Sequence, residues 1–296
     1  MHRFDVVARA RARVDRRRRT SDRDPRRRGL RLCTAGLALA VTTTCTPEPI
    51  ADQGYELVFF EPFDGDEVRP HWATAPFGGS LPATIKDGVL TLRTTAANDY
   101  QWAYLASTGP RFDTEPNYPL ASAWQEGYFE ARLRYSDNRW AWPGFWLFSM
   151  AKTEAWPGED CTRLNAEWDI MENGIQDMDG SKPASSWYFT SLHRNTTDNS
   201  DDGYCSRPDD VRNTGQQFPG TDLSTWHTWA GHWTSEEMCT YLDGEELTCT
   251  EPFDTTAQPM HLVLSMIYLP VCSGCPPRPS SLEMQVDWVR VWQQPG

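Results

Sequence analysis

Three acidic residues, Glu167, Asp169 and Glu172, stand within six positions of one another in residues 165–173. On a regular β-strand alternate residues point to the same face, so Glu167 and Asp169 share a face and the apolar residues beside them point to the other. Glu172 would then face the wrong way. One extra residue in a bulge between Asp169 and Glu172 returns it to the shared face and bends the strand. The segment therefore predicts a bulged strand that gathers three carboxyl groups.

Two carboxyl groups held about 5 to 5.5 Å apart can hydrolyse a glycosidic bond with retention of configuration. One attacks the anomeric carbon, and the other protonates the leaving oxygen. A third acid between them can share a hydrogen bond with the nucleophile and help to keep the acid protonated by like-charge repulsion. Spacing alone does not decide which glutamate has which role. A solvated acidic strand edge and a calcium site are the alternatives, and the neighbouring Trp and Met residues argue against a simple solvated edge.

The elements that must position these acids are strands. From Tyr55 onward, short apolar stretches with period two are separated by Gly, Pro, Asp and Asn, and no amphipathic helix of convincing length is visible. This pattern predicts one all-β sandwich or barrel domain over residues 55–296. The predicted strands include residues 57–60, 88–92, 128–133, 145–148, 261–264 and 286–292.

One predicted hairpin bears on a cysteine pairing. If residues 243–245 all form the loop, Cys239 lies opposite Cys249 and a disulfide fits. With a two-residue loop the two cysteines would miss by one position and face opposite sides. We expect the three-residue loop together with the Cys239–Cys249 disulfide, which tests the register.

The acidic segment resembles the signature of glycoside hydrolase family 16, Glu-x-Asp-x-x-Glu in its bulged form. This family includes laminarinases, lichenases, agarases and carrageenases. Further stretches resemble the family in the same order along the chain. They are residues 127–132 with 142–146, residues 226–229 with 241–244, and residues 286–291.

The resemblance implies a concanavalin A-like jelly roll, a β-sandwich of two curved antiparallel sheets with the catalytic groove on the concave face. It implies that Glu167 is the nucleophile, Asp169 its helper and Glu172 the general acid and base. The sequence departs from the family at Trp168, which replaces an aliphatic residue, and at Gly144, where alanine is common. These departures concern packing and substrate more than mechanism.

The resemblance thus implies a retaining endo-hydrolase of a polysaccharide, with β-1,3 or mixed β-1,3/1,4-glucan as the first expectation. A galactan hydrolase of the agar or carrageenan type and a transglycosylase remain alternatives. So does a non-catalytic carbohydrate-binding module, although such a module would typically have lost one of the two glutamates. Catalysis by two carboxyl groups needs no cofactor.

Aromatic residues are candidates for sugar binding, because the chain has 14 tryptophans and aromatic rings stack on the apolar faces of sugars. Trp142 leads, since the family places its motif at the cleft. Trp140, Trp124 and Trp187 are further candidates, with core packing as the alternative for each. His193 matches a family histidine that follows the catalytic strand, which implies a hydrogen bond to the acids or the sugar; a structural histidine is the alternative.

The resemblance also implies a structural calcium site on the convex side. Its ligands would be the carbonyl oxygens of Pro62 and Gly88 and the carboxylate of Asp287, with water completing the shell. Asp287 as an ordinary strand residue is the alternative. Such an ion would stabilise the fold without taking part in catalysis.

Residues 1–45 predict an export signal, with 13 arginines, 4 aspartates and an apolar run at residues 32–41. The run is shorter than the roughly 20 residues that span a bilayer, so no stable membrane span is expected. A nucleic-acid-binding arm is the alternative for this basic segment. Residues 46–54 read as a short spacer. Lipid attachment at Cys45 is disfavoured by the threonines before it, and we expect a secreted protein.

Removal of residues 1–45 leaves 15 basic and 37 acidic residues, a formal charge of −22. Such a surface repels nucleic acid and suits a neutral glycan. We expect a monomer. Six cysteines remain, an even number that indicates disulfides in an exported chain. They are Cys161, Cys205, Cys239, Cys249, Cys272 and Cys275, and zinc at the last two is the alternative.

Overall fold

A computed structural model describes residues 53–73, 83–95, 102–107, 123–149, 165–173, 184–196, 207–218, 220–253, 259–269 and 277–296. All of these residues belong to one compact unit, Cys45–Gly296. The predicted export signal, Cys45, most of the spacer and four cysteines (Cys161, Cys205, Cys272 and Cys275) lie outside the described residues. Within the described ranges, no helix is long and apolar enough to cross a membrane.

The described elements are strands and one short 3-10 helix at Ala184–Ser186. The first eight strands are β1 Glu56–Glu61, β2 Thr84–Lys86, β3 Val89–Thr95, β4 Trp102–Ala106, β5 Ala123–Trp124, β6 Gly127–Tyr135, β7 Ala141–Phe148 and β8 Asn165–Glu172. The others are β9 Trp187–Thr196, β10 Arg207–Gln217, β11 His227–Trp233, β12 Met238–Leu242, β13 Glu245–Thr250, β14 Met260–Tyr268 and β15 Ser281–Gln293.

These strands form two antiparallel sheets. An eight-stranded sheet has the order β13-β12-β11-β6-β15-β3-β2, with β1 also on β15. A seven-stranded sheet has the order β10-β9-β8-β7-β14-β4, with β5 also on β14. The predicted all-β sandwich is confirmed, and each predicted strand overlaps a strand of the structure.

The core between the sheets fixes the direction of the acidic segment. Trp168 and Ile170 of β8 are fully buried in this core. They pack against Gly231 of β11, where a Cβ atom would lie 2.5 Å from Trp168 Cη2 and 2.9 Å from Ile170 Cδ1. Since side chains alternate along a strand, burying these two residues turns Glu167 and Asp169 to the opposite face of the seven-stranded sheet, here called the acid-bearing face.

The β12–β13 hairpin confirms the disulfide and corrects the predicted loop. Asp243 and Gly244 alone connect the strands, and both have the positive φ that a type I′ turn requires. A register shift at Leu247 adds one residue to β13, and Cys239 then pairs with Cys249 in a disulfide. The expected three-residue loop is wrong, because a two-residue turn followed by a bulge gives the same cysteine register.

The predicted calcium ligands do not fit a cation site well. Asp287 lies where the pairing of β15 with β6 shifts register, and its Oδ2 is 2.5 Å from Nη1 of Arg132. Gly88 belongs to the β2–β3 turn, and Pro62 directly follows β1. The guanidinium already supplies the positive charge that the ion would bring to the carboxylate, so the ordinary strand role fits Asp287 better.

Candidate active site

The catalytic segment has the predicted bulge. In the pairing of β8 with β9, Asp169 lies opposite Ser191 and Glu172 lies opposite Phe189. Two residues of β8 therefore face a single residue of β9, and the pairing of β8 with β7 shifts at the same point. The extra residue returns Glu172 to the acid-bearing face, because a one-residue shift reverses the side of a strand that a side chain occupies.

All three acids and one histidine meet on this face. Carboxylate oxygens of Glu167 and Asp169 and a ring nitrogen of His193 lie within 4.8 Å of one another. Asp169, which is 2% exposed, also forms a side-chain hydrogen bond with Glu172. The helper acid therefore bonds to the predicted general acid, whereas its hydrogen bond was predicted to go to the nucleophile. The two glutamates keep part of their surface open to solvent.

Two further side chains orient the acids. The indole Nε1 of Trp142 donates a hydrogen bond to Glu172 Oε1 at 2.8 Å. Nε2 of His193 lies 3.0 Å from Asp169 Oδ2, so the predicted contact of this histidine with the acids is present. Trp142 thus orients the carboxyl of Glu172 through the edge of its ring; stacking of a sugar on its half-exposed face stays a prediction.

Burial and mutual repulsion favour protonated acids in this cluster. Burial, with the charge of Asp169 next, raises the pKa of Glu167 to about 8. Burial and then Glu172 raise the pKa of Asp169 well above its usual range. Burial also raises the pKa of Glu172, against the lowering effect of the Trp142 N–H. The cluster can therefore keep a proton for a general acid near neutral pH, whereas the nucleophile role predicted for Glu167 requires that this residue lose its proton.

An apolar cluster separate from the main core continues the acid-bearing face. It contains Tyr104, Val263 and Ile267, together with half-buried Trp146 and Phe148. Burial raises the pKa of the Tyr104 hydroxyl, and the charges of Glu167 and Glu172 raise it further, which places this hydroxyl near both glutamates. Sequence reasoning missed Tyr104. It also missed Trp146, although the period of two along β7 puts it on the same face as Trp142.

Gly144 has a packing reason on this face. Nε1 of Trp146 donates a hydrogen bond to Oγ of Ser265 at 3.1 Å. A Cβ atom on Gly144 would lie 2.6 Å from the same Oγ and 3.1 Å from Cδ1 of Trp146. The departure from the family's alanine therefore makes room for the Trp146–Ser265 pair.

Two of the predicted sugar platforms are buried, which favours the core-packing alternative for both. Trp124 is 7% exposed and packs in the main core, with its ring centre 6.2 Å from that of Phe129. Trp140 is 8% exposed, and Arg278 covers its ring at 4.7 Å. Neither ring has an open face for a sugar. Trp187 is half-buried and lies on the same face of β9 as His193, because alternate residues of a strand share a face. Sugar stacking on Trp187 stays a prediction.

Metal ligation is a second use that these residue types would allow. Among the described residues, two groups of three side chains have suitable spacing: Glu167 with Asp169 and His193, and Glu237 with Cys239 and Cys249. The cysteines of the second group are joined in the disulfide and cannot ligate as thiolates. The first group contains two of the three acids of the cluster together with His193.

Comparison with known proteins gives matches in sequence and in structure. No protein-family model matches the chain. The chain is 25% identical over 222 residues to an endo-1,3-1,4-beta-glycanase, EglC of Rhizobium meliloti (strain 1021), a match that covers 73% of this chain. The match covers only 41% of that relative, so the chain spans well under half of its length.

Solved structures share the fold. The laminarinase catalytic domain of Thermotoga maritima MSB8 superposes with a TM-score of 0.57 at 15% identity, over 82% of this chain and 99% of that one. The GlcNAcα1-4Gal-releasing endo-β-galactosidase of Clostridium perfringens gives 0.61 at 18% identity, over 83% and 64%. These likenesses show that the chain shares the jelly-roll sandwich fold of these two enzymes.

Proposed function

We propose that this chain is a retaining endo-hydrolase that cleaves internal β-linkages of a polysaccharide, with β-1,3 or mixed β-1,3/1,4-glucan as the first substrate class. One observation carries the proposal: the bulge in β8 turns Glu167 and Glu172 to one face, with Asp169 between them along the strand and His193 of β9 bonded to Asp169. The sequence match to an endo-1,3-1,4-beta-glycanase supports a glucan substrate.

The reaction proceeds in two displacements. A carboxylate oxygen of Glu167 bonds to the anomeric carbon as the glycosidic bond breaks, and the proton of Glu172 passes to the leaving oxygen. Water then attacks the same carbon, gives its proton to Glu172 and releases Glu167 as a carboxylate. The Trp142 N–H donates to Oε1 of Glu172 and so orients the carboxyl that carries the proton. No cofactor takes part in this chemistry.

A galactan is the second candidate substrate, because an endo-β-galactosidase shares the fold. A panel of laminarin, lichenan, agarose, carrageenan and xyloglucan, assayed with wild type and Glu167→Gln, separates the possibilities. We expect wild type to cleave a β-glucan and Glu167→Gln to be inactive. Tight binding of one glycan without cleavage of any would identify a binding module. Transfer to an added sugar acceptor would identify a transglycosylase.

The roles of the two glutamates have a separate test. Glu172→Ala should regain turnover on an activated glycoside when azide is added, and the product should be the β-glycosyl azide. An α-azide from this variant would reverse the assignment of the two residues. Inversion of the anomeric configuration in the wild-type product, followed by NMR, would refute the covalent intermediate.

We also propose that the enzyme is exported and acts as a soluble monomer on extracellular polysaccharide. The basic and apolar segment at residues 1–45 supports export, as does the Cys239–Cys249 disulfide, since disulfides persist mainly in oxidising compartments. Expression of the full chain in a secreting host, followed by N-terminal sequencing of the protein in the medium, tests this. Retention of the uncleaved chain inside the cell would refute it.

A further inference from the structure

Asn173 directly follows Glu172 and is 2% exposed, so it is a buried polar residue beside the proposed general acid. Its carboxamide Nδ2 donates to the hydroxyl of Tyr135 at 3.0 Å and to the carbonyl oxygen of Trp187 at 2.7 Å. Its backbone N–H donates to the carbonyl oxygen of Pro143 at 3.3 Å. Asn173 therefore joins β8 to three strands: β6 of the eight-stranded sheet, and β7 and β9 of its own sheet.

The bulge explains why this anchor matters. Between Asp169 and Glu172 the regular pairing with β9 is interrupted, and Glu172 is the last residue of β8. A strand end beyond a bulge has few ladder hydrogen bonds of its own. The three bonds of Asn173 fix the backbone immediately after Glu172, and thereby the direction in which its carboxyl meets the Trp142 N–H.

We propose that Asn173 is a positioning residue that holds the general acid Glu172 in line with the leaving oxygen. The proposal rests on the proposed function, because it gives Glu172 the acid role. In this role Asn173 acts through Glu172 and needs no contact of its own with the substrate. An error of about 1 Å in a catalytic group can cost on the order of 10²-fold in rate, so loss of the anchor should be visible in kinetics.

Leaving-group dependence distinguishes this role from a merely structural one. A sugar leaving group needs protonation, whereas a dinitrophenolate leaves without it. We therefore expect Asn173→Ala to lower kcat/KM for the polysaccharide by on the order of 10²-fold. For a dinitrophenyl β-glycoside of an oligosaccharide that wild type cleaves, the loss should be only a few-fold. Glu172→Ala should show the same divergence more strongly, since general acid catalysis contributes roughly 10²- to 10⁴-fold.

Two further variants keep the test sharp. Tyr135→Phe removes one acceptor of the Asn173 amide without touching β8, and should give a smaller divergence of the same sign even if Asn173→Ala folds poorly. Ser107→Ala is the matched control, because it removes a buried hydroxyl that accepts the Leu262 N–H at the β14–β4 end of the same sheet. It should lower both activities equally, if at all. Circular dichroism and the denaturation midpoint report folding for each variant.

Equal losses on the two substrates in Asn173→Ala and Tyr135→Phe would overturn the proposal, as would the divergence in Ser107→Ala. If Glu172→Ala shows no leaving-group dependence, the acid assignment fails and this inference falls with it. That outcome is distinct from one in which Glu172→Ala diverges and the Asn173 variant does not, which would refute Asn173 alone.

Discussion

Replacement of Gly231 by alanine should disturb the acid-bearing strand from its buried side. Gly231 lies on β11 in the opposite sheet, and an added Cβ would meet Trp168 Cη2 at 2.5 Å and two Ile170 carbons at 2.9 Å. Real Cβ atoms essentially never show contacts under 3.0 Å, so β8 or its buried side chains must shift. The shift would reach Glu167 and Asp169, which alternate with these two residues along β8.

The expected cost follows from the packing. Overfilling a packed core costs roughly 1–3 kcal/mol, while alanine gains about 0.5–1 kcal/mol over glycine in a strand interior. The net loss of unfolding free energy should be about 1–2 kcal/mol, which in a domain of this size lowers Tm by roughly 2–8 °C. A displacement of the acids approaching 1 Å should also lower kcat/KM by about 10- to 100-fold.

A double-mutant cycle tests this reasoning. Trp168→Phe removes the ring carbon that makes the closest contact, so Gly231→Ala should cost less in that background, with a coupling energy of about 1 kcal/mol or more. Gly65→Ala is the control, because its Cβ would have no contact nearer than 3.6 Å. Denaturation and kcat/KM are measured for each variant. Additive effects, or wild-type activity in Gly231→Ala, would refute the account.

Three other predictions concern the acids and the disulfide. Trp142→Phe removes the N–H that lowers the pKa of Glu172, so the basic limb of kcat/KM should move to higher pH; an unchanged profile would contradict this. Glu167→Gln should have a higher Tm than wild type, and the difference should grow as the pH rises from about 4.5 to about 8. The raised pKa of Glu167 makes its ionisation in the folded wild type unfavourable in this range. A Tm difference that does not change with pH would refute the burial argument. Replacing Cys239 and Cys249 by serine should cost about 3 kcal/mol in denaturant unfolding under oxidising conditions, and reduction of wild type should cause the same loss.

The sequence was sufficient for the features that local periodicity and chemistry determine. The bulge follows from the need to bring Glu172 to the face of Glu167, and the strands follow from alternation. The hairpin loop was not predictable, because two different combinations of loop and bulge give the same Cys239–Cys249 pairing. The burial of Trp124 and Trp140 was not predictable, because composition shows an excess of tryptophan without showing which face each ring occupies.

Contacts between distant strands were also beyond a reading of the sequence. Asn173 draws its partners from β6 and β9, which are separated from it by loops and other strands. The donor and acceptor types were visible, but nothing local indicates that the hydroxyl of Tyr135 comes within hydrogen-bonding distance of this amide. Burial in the core between the sheets sets that contact.

The two departures from the family signature have the same physical explanation, although they lie on opposite faces of the seven-stranded sheet. Trp168 adds volume on the core side of β8, and the absence of a side chain at Gly231 accommodates it. On the acid-bearing side, the absence of a side chain at Gly144 leaves room for the Trp146–Ser265 pair. Gly231 belongs to the facing sheet and Gly144 to the same strand as Trp146, and each glycine leaves space that an indole occupies. A side chain added at either glycine alone should therefore create a clash beside the acids, against Trp168 and Ile170 at Gly231 and against Ser265 and Trp146 at Gly144.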